Sequence, residues 1–244
     1  MKRYFLADLH LQPERPDITR AFLYFLDRII KPGDSLYLLG DIFEYWIGDD
    51  APLAGMEPIF NRLDQLSSGG SEIYFQHGNR DFLVGEQFAD RIGAKLLPDA
   101  QVIELNAGPA LLMHGDQLCT DDEPYQQFRS QVRNPQWQQQ FLSQSIDHRR
   151  SIAEQMRAQS KAQGAMKAET IMDVNADKVC RQMRQHGVEL LIHGHTHRPA
   201  IHENQITAGR GKRFVLGDWG SSGWYLVEHE ATADLELIQF TPPD

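Results

Sequence analysis

Five apolar runs in this chain each end beside a residue that can ligate a hard metal. The segments are Asp8-Leu9-His10, Gly40-Asp41, Gly78-Asn79-Arg80-Asp81, His114-Gly115-Asp116 and Gly194-His195-Thr196-His197. The runs before them, near 3–7, 35–39, 72–76, 110–113 and 188–192, have the length and composition of strands. In open α/β sheets, ligand sites gather outside the carboxyl ends of the strands. A fold that aligns these strands brings distant segments to one edge, and few architectures do that.

The spacing of the remaining apolar residues supplies the helices. Residues 19–30 carry Phe22, Leu23, Leu26, Ile29 and Ile30 at helical spacing and stop at Pro32-Gly33. Helices are also expected at 56–66, before Ser67-Ser68-Gly69-Gly70, and near 86–92 and 177–186. Residues 102–105 and 110–113 read as a hairpin around Asn106-Ala107-Gly108, and short strands follow near 199–202, 214–216, 225–228 and 235–240. The first half alternates strand and helix while the end is mostly strand. The pattern predicts an α/β sandwich with helices on its outer faces.

Between His114 and Val188 lies a segment too long for a plain loop. Trp137, Phe141, Leu142, Ile146, Ile152 and Met156 form its apolar series. An inserted helical lid is expected over 121–175, carried by a core of 1–120 and 176–244, in a single domain overall.

The formal charge of −10 disfavours a general nucleic-acid binder. The insertion departs from this average. Over 125–167 the basic residues are Arg129, Arg133, Arg149, Arg150, Arg157, Lys161 and Lys167, against Asp147 and Glu154 alone. No apolar run approaches the ~20 residues of a membrane span. The first eight residues reach an acid too early for a signal peptide and read as a strand. Cys119 and Cys180 stand far apart in no metal-type or redox-type spacing, so a reducing cytoplasm is expected.

The ligand types carry the chemistry. Asp8, His10, Asp41, Asn79, His114, His195 and His197 offer two carboxylates, one amide and four imidazoles. That is about the number needed to hold two divalent cations with room for water. Gly40 lets the backbone turn sharply before Asp41, whose two oxygens can bridge a pair of ions. Mixed oxygen and imidazole ligands suit Mn, Fe or Zn better than Ca or Mg, with manganese the first choice. Two cations about 3.5–4 Å apart can clamp the attacking and leaving oxygens of a displacement at phosphorus. A single histidine on an apolar strand is most often packed in the core, and His77, His193, His202 and His229 are placed in that class. Asp49 and Asp50, after Gly48, are expected to be solvated or supporting acids of a turn.

Asp8-x-His10, Gly40-Asp41-x-x-Glu44, Gly78-Asn79-x-Asp81, His114-Gly115 and Gly194-His195-x-His197 resemble the calcineurin-like metallophosphoesterases, over residues 8–197. The resemblance implies a four-layer αββα sandwich. It implies Asp8, His10, Asp41 and His197 on one ion, and Asp41, Asn79, His114 and His195 on the other. Many members carry a histidine after the asparagine, as general acid, where this chain has Arg80. Arginine does not release a proton at neutral pH, but it clamps phosphate with paired hydrogen bonds. Such a site suits a leaving group that needs no protonation. A phosphate monoester, with a second pKa of about 6, is one, so a diphosphate bond is the expected target.

Longer strings narrow the match. Trp46-Ile47-Gly48-Asp49-Asp50, His77-Gly78-Asn79-Arg80-Asp81-Phe82-Leu83, His114-Gly115-Asp116-Gln117-Leu118-Cys119-Thr120-Asp121-Asp122 and Ile192-His193-Gly194-His195-Thr196-His197-Arg198-Pro199 are similar to the UDP-2,3-diacylglucosamine diphosphatase family of lipid A biosynthesis. This implies hydrolysis of UDP-2,3-diacylglucosamine to UMP and 2,3-diacylglucosamine 1-phosphate, by metal-activated water attacking the α-phosphorus. It implies two Mn2+ per chain and a peripheral place on the cytoplasmic face of the inner membrane. Catalytic roles fall on Asp41, Asn79, Arg80 and His195. Substrate contacts fall on Asn79, Arg80, Asp122, Ser160, Lys161, Lys167 and His195. Gly164 stands where members commonly have Asn, so a side-chain contact there is absent. In the insertion, basic residues would meet phosphates, while Trp137, Phe141, Leu142 and Ile146 would line an acyl groove or touch the membrane surface. The alternatives are a phosphohydrolase for nucleotides or phosphoproteins, a non-catalytic scaffold, and a membrane adaptor resting on the helices of 125–167.

Overall fold

The computed structural model describes residues 1–164, 173–220, 222–229 and 232–241, with the backbone alone for 159–164. Two sheets face each other. The first orders its strands β11(Leu235–Phe240)-β10(Gly223–His229)-β1(Lys2–Leu6)-β2(Ser35–Leu39)-β3(Glu72–Gln76)-β4(Ala94–Leu97). The second runs β5(Ala100–Leu105)-β6(Gly108–Met113)-β7(Leu190–His193)-β9(Lys212–Val215)-β8(Ala200–His202). β1 to β4 are mutually parallel, as are β6, β7 and β9.

Alternation along each strand decides which side chains enter which layer. Phe5, Tyr37 and Leu39 point between the sheets and meet Ala110, Leu112, Leu190, Ile192 and Phe214 from the facing sheet. Their neighbours Tyr4, Leu6, Leu36 and Leu38 point outward to α1 (Pro16–Arg28) and α2 (Glu57–Ser68). On the far side, Leu111, Met113 and Leu191 pack against Val179 and Met183 of α7 (Ala176–His186). The result is helix, sheet, sheet, helix, as the family resemblance implies. Phe25 shows how tightly the outer layer closes: it is fully buried among Tyr4, Trp219 and Tyr225. Its truncation to Ala would cost about 3–5 kcal/mol.

Helix ends follow their capping chemistry. Asn175 accepts a hydrogen bond from the Lys178 amide at the start of α7, and Gly187 closes it in a left-handed turn at φ 66°. β4 is a strand that periodicity does not announce. Its four residues form a sheet edge, and pairing with β3 supplies the order that the pattern Ala-Lys-Leu-Leu lacks.

Among the described residues three α-helices stand between β6 and α7 in the chain: α4 (Glu123–Val132), α5 (Pro135–Leu142) and α6 (Ile146–Gly164). Trp137, Phe141 and Ile152 pack onto the outer-layer core, whereas Phe128, Leu142 and Ile146 stay exposed at 37%, 40% and 37%. The apolar series is thus split between packing and surface, and only part of it can line a groove. Arg149 is the largest fully buried side chain. Its guanidinium donates to the Ile47 carbonyl at 2.6 Å and pairs with Asp50. Asp50 is therefore the anchor of α6 rather than a freely solvated turn acid. Asp49 accepts from Trp46 Nε1 and from the amides of Gly85 and Phe88, each at 2.9 Å, at the start of α3 (Glu86–Arg91).

Candidate metal centre

All five ligand-bearing segments leave the carboxyl ends of β1, β2, β3, β6 and β7, and the fold brings them to one edge. The chain turns hard at the exits of β1, β2 and β7. Asp8, His10, Asp41, His195 and His197 all have positive φ, between 50° and 69°. Among the described residues Asn204 is the one other non-glycine in that region. Left-handed backbone costs a non-glycine residue roughly 1–2 kcal/mol, and such strain persists only where the surroundings impose it.

Those surroundings are explicit. The Asp8 amide donates to Gly40 O at 3.1 Å, the His10 amide to Asp41 O at 2.9 Å, and the Gly194 amide to His114 O at 2.8 Å. The turns after β2 and β3 touch back to back: a Cβ on Gly40 would lie 2.6 Å from Gly78 Cα, and one on Gly78 would fall on the Asp41 amide. Glycine is required at both positions for that approach. Asp81, fully buried, ties the two turns together by accepting from the amides of Gly78 and Ile42 at 2.8 Å and of Asp41 and Phe43 at 3.3 Å. Burial and the neighbouring Asp41 charge push the Asp81 carboxyl up to about 6, against the pull of those amides.

The side chains form two groups. Asp8, His10 and His197 present ligand atoms within 4.8 Å of one another, and so do Asp41, His114 and His195. His10 Nε2 and His197 Nε2 are 3.3 Å apart, with His197 Nε2 3.5 Å from Asp8 Oδ1. Asn79 Oδ1 lies 3.1 Å from His114 Nε2, beside the second group. Asp41 stands between: its Oδ2 is 4.0 Å from His10 Nε2, and its Oδ1 is 3.6 Å from His114 Nε2.

The donor set fits a pair of divalent cations on three counts. Asp8 Oδ1 is buried and receives no hydrogen bond. Its Oδ2 accepts from the His195 amide at 2.8 Å, which leaves Oδ1 aimed at the imidazoles. Three imidazoles turn Nε2 inward while Nδ1 faces an oxygen outside: Glu44 Oε2 at 3.0 Å from His10, Leu39 O at 2.9 Å from His114, and Asp218 Oδ2 at 3.7 Å from His197. A carbonyl can only accept, so His114 Nδ1 carries a proton, and Nε2 is the nitrogen that would face an ion. Third, the field calls for positive charge. Burial works to lower the His10 pKa, yet Glu44, Asp41 and Asp8 raise it to about 9. Burial likewise works to raise the Asp8 pKa, and His197, His114 and His10 hold it at about 2.

A cavity of about 500 Å³ opens beside this centre. Trp46, Phe82, Phe128, Trp137, Phe141 and Met156 give it apolar walls, while Asn79, Arg80, Asp122, Arg157 and His195 give it a polar end. Arg80 places Nη1 3.9 Å from Glu44 Oε1. Asp122 caps α4 by accepting from the Tyr125 amide at 3.2 Å. Tyr125 stacks on the His195 ring, with centroids 6.0 Å apart, and donates its hydroxyl to buried Asp116 at 2.7 Å. Burial and the Asp116 charge push that phenol well above its usual pKa, so it stays a donor.

Of the residues expected to contact substrate, Lys167 lies outside the described residues, as do the side chains of Ser160 and Lys161. Leu142 and Ile146 are surface groups rather than cavity walls. Of the four histidines assigned to the core, His193 is fully buried and His77 half-buried. His202 and His229 correct that expectation: they sit half-exposed at the last residues of the edge strand β8 and of β10, with His229 3.7 Å from Glu236. Tyr125, Arg157, Asp116 and Asp218 escaped the sequence argument as site residues. Arg157, whose guanidinium lies 4.4 Å over the Tyr45 ring, belonged to the basic series that could have flagged it.

Comparison with known proteins agrees with this geometry. A family model described as calcineurin-like phosphoesterase matches residues 1–199. A UDP-2,3-diacylglucosamine hydrolase of Cellvibrio japonicus is 51% identical over 93% of this chain and 94% of its own length. Proteins of the same name from Hahella chejuensis and Chromohalobacter salexigens are 48% and 49% identical, covering 92% of both chains and 98% of both chains respectively. The chain is thus a member of the calcineurin-like phosphoesterases, in the group of the UDP-2,3-diacylglucosamine hydrolases.

Proposed function

We propose that the protein hydrolyses the diphosphate of UDP-2,3-diacylglucosamine to UMP and 2,3-diacylglucosamine 1-phosphate. The observation that carries this is one carboxylate, Asp41, set between two ligand groups whose members Asn79, His195 and His197 line a largely apolar cavity. Asp8, His10, Asp41 and His197 would hold one divalent ion, and Asp41, Asn79, His114 and His195 the other. Mn2+ suits this mix of carboxylate, amide and imidazole. When bound, the pair supplies Lewis acidity and lowers the pKa of water at the site.

The chain's own groups do the rest. Arg80 binds a phosphate oxygen and holds the diphosphate in line for attack. The water oxygen adds to the α-phosphorus as the bridging P–O bond breaks, and the sugar 1-phosphate leaves with the electron pair. That leaving group needs no proton, its second pKa being about 6, so the absence of a histidine acid at position 80 costs nothing. Protons from the water pass to solvent. The apolar walls exclude water around the acyl chains, and Arg157 and Asp122 face the head group. Ser160, Lys161 and Lys167 extend these contacts by the family resemblance.

The insertion expected over 121–175 would act as a lid, a reading supported by its described helices α4 to α6, which line the cavity. Exposed Phe128, Leu142 and Ile146 rest on the cytoplasmic surface of the inner membrane, where the lipid substrate lies. No helix among the described residues is long and apolar enough to cross a membrane. The test is hydrolysis of UDP-2,3-diacylglucosamine by the Mn2+-loaded protein in ¹⁸O water. Label in UMP is expected. Label in the sugar phosphate, or no turnover, would overturn the assignment.

A further inference from the structure

α4 belongs to the insertion and lines part of the cavity, yet the two arginines near its end turn toward the turns of the metal centre. Arg129, in its last turn, donates Nε to Asp116 and Nη2 to Asp99, both at 2.7 Å. Arg133, the residue that ends the helix, donates Nη1 to Asp99 at 3.3 Å and Nη2 to the Gly78 carbonyl at 2.9 Å. Its guanidinium also covers the Phe82 ring at 5.6 Å. Asp99 sits between β4 and β5 and holds both arginines. Gly78 is therefore gripped from two sides: Asp81 accepts its amide from inside, and Arg133 donates to its carbonyl from outside. The Gly78 carbonyl belongs to the peptide whose nitrogen is that of Asn79. Its direction sets the plane from which the Asn79 side chain reaches His114 Nε2. Hydrogen bonds from a charged donor are among the stronger ones in a protein, and this one acts on a single peptide unit with glycine freedom on one side.

We infer that Arg133 is a positioning residue for Asn79, and so for the ion that Asn79, His114 and His195 would hold. It rests on the two-ion centre proposed above. The insertion then has two separate duties. α4 braces one half of the metal centre and lends Phe128 to the cavity, while α5 and α6 add Trp137, Phe141 and Met156 to its walls. The other half, built on Asp8, His10 and His197, receives no contact from Arg133 and depends on Glu44 and Asp218 instead.

The test is Mn2+ binding to the full chain, followed by electron paramagnetic resonance and by titration calorimetry, with no substrate present. Arg133→Met keeps an apolar stem over Phe82 and removes both donors. One ion should bind as in the wild type. The second should weaken about 10- to 100-fold, the range seen when an outer partner of a metal ligand is lost. The exchange-coupled signal of the pair should give way to that of an isolated ion. Arg133→Lys, which keeps a charged donor, should recover part of the coupling. Asp99→Asn, which loosens Arg133 without emptying the space it fills, should weaken the same ion by less and serves if Arg133→Met does not fold. Both ions bound by Arg133→Met as tightly as by the wild type would overturn the inference. Equal weakening of both ions in step with a lower Tm would overturn it too. A wild-type chain that shows no coupled pair would overturn the two-ion centre itself, and this inference with it.

Discussion

The five ligand-bearing turns and the three-helix insertion hold their positions by opposite means. The turns use short links: backbone amides donating to neighbouring carbonyls, to Asp81 and to Asp8, with strained left-handed residues fixed between them. The insertion uses long ones. Arg149 reaches the Ile47 carbonyl and Asp50, and Arg129 and Arg133 reach Asp99 and Asp116. Short links leave little freedom for the side chains they carry, which is what ligand geometry demands. Long guanidinium arms fix where a helix lies while leaving its outer face free to vary. A substitution in the first region should therefore alter what the centre binds. A substitution in the second should alter how well a large substrate fits, except at Arg133, whose arm ends on the Gly78 carbonyl of a ligand-bearing turn.

The largest expected effect tests the first half of that contrast. Asp41→Ala removes the one carboxylate between the two ligand groups and should lower kcat/KM by more than about 10³-fold, beyond the loss typical of a single electrostatic donor. Bound metal, measured by atomic emission, should fall as well. Activity within tenfold of the wild type would break the comparison at its root. Next, Arg80→Ala should lower kcat about 10²-fold with metal content unchanged. A parallel loss of metal would make Arg80 part of the scaffold instead of a phosphate clamp.

Arg149→Met probes the second region. It removes the buried guanidinium and leaves the Ile47 carbonyl without its donor, a loss of about 1–3 kcal/mol. Denaturant unfolding should register that destabilisation, and KM for the lipid substrate should rise several-fold while metal content stays constant. Metal loss here would erase the distinction between the regions. The smallest effect is expected from Leu142→Ser with Ile146→Ser, at exposed positions. Cosedimentation with anionic lipid vesicles should weaken a few-fold, since each exposed apolar side chain contributes up to about 1.5–3 kcal/mol when fully buried. Hydrolysis of substrate in detergent micelles should hold. Unchanged vesicle binding would move the membrane contact elsewhere on the insertion.

The contrast also explains what could be read from the amino acids. The turns announce themselves because their chemistry is local: five apolar runs each lead within a residue or two to a carboxylate, amide or imidazole, beside a glycine in four of them. The layers were legible for the same reason, since alternation in β1, β2, β6 and β7 assigns each side chain to a face. β4 was not legible, because its order comes from β3 rather than from its own four residues. Asp81 stood in plain view, but its partners are backbone amides, which every sequence possesses and none displays. Arg149 misled in another way. Arginine is nearly always solvated, so nothing short of the folded α6 reveals that this one is enclosed and that Asp50 is its counter-ion. Leu142 and Ile146 shared a pattern with Trp137 and Phe141, and only the placement of α5 and α6 separates surface from wall.

The left-handed backbone at Asp8, His10, Asp41, His195 and His197 has a consequence for anyone evolving this protein in the laboratory. Glycine adopts that backbone without penalty, so a screen for heat resistance alone would favour glycine at these five positions. Every such winner would be a hardier chain with one fewer group to offer a cation. Selection for robustness and selection for turnover therefore pull in opposite directions at the same residues, and a useful screen must require both at once.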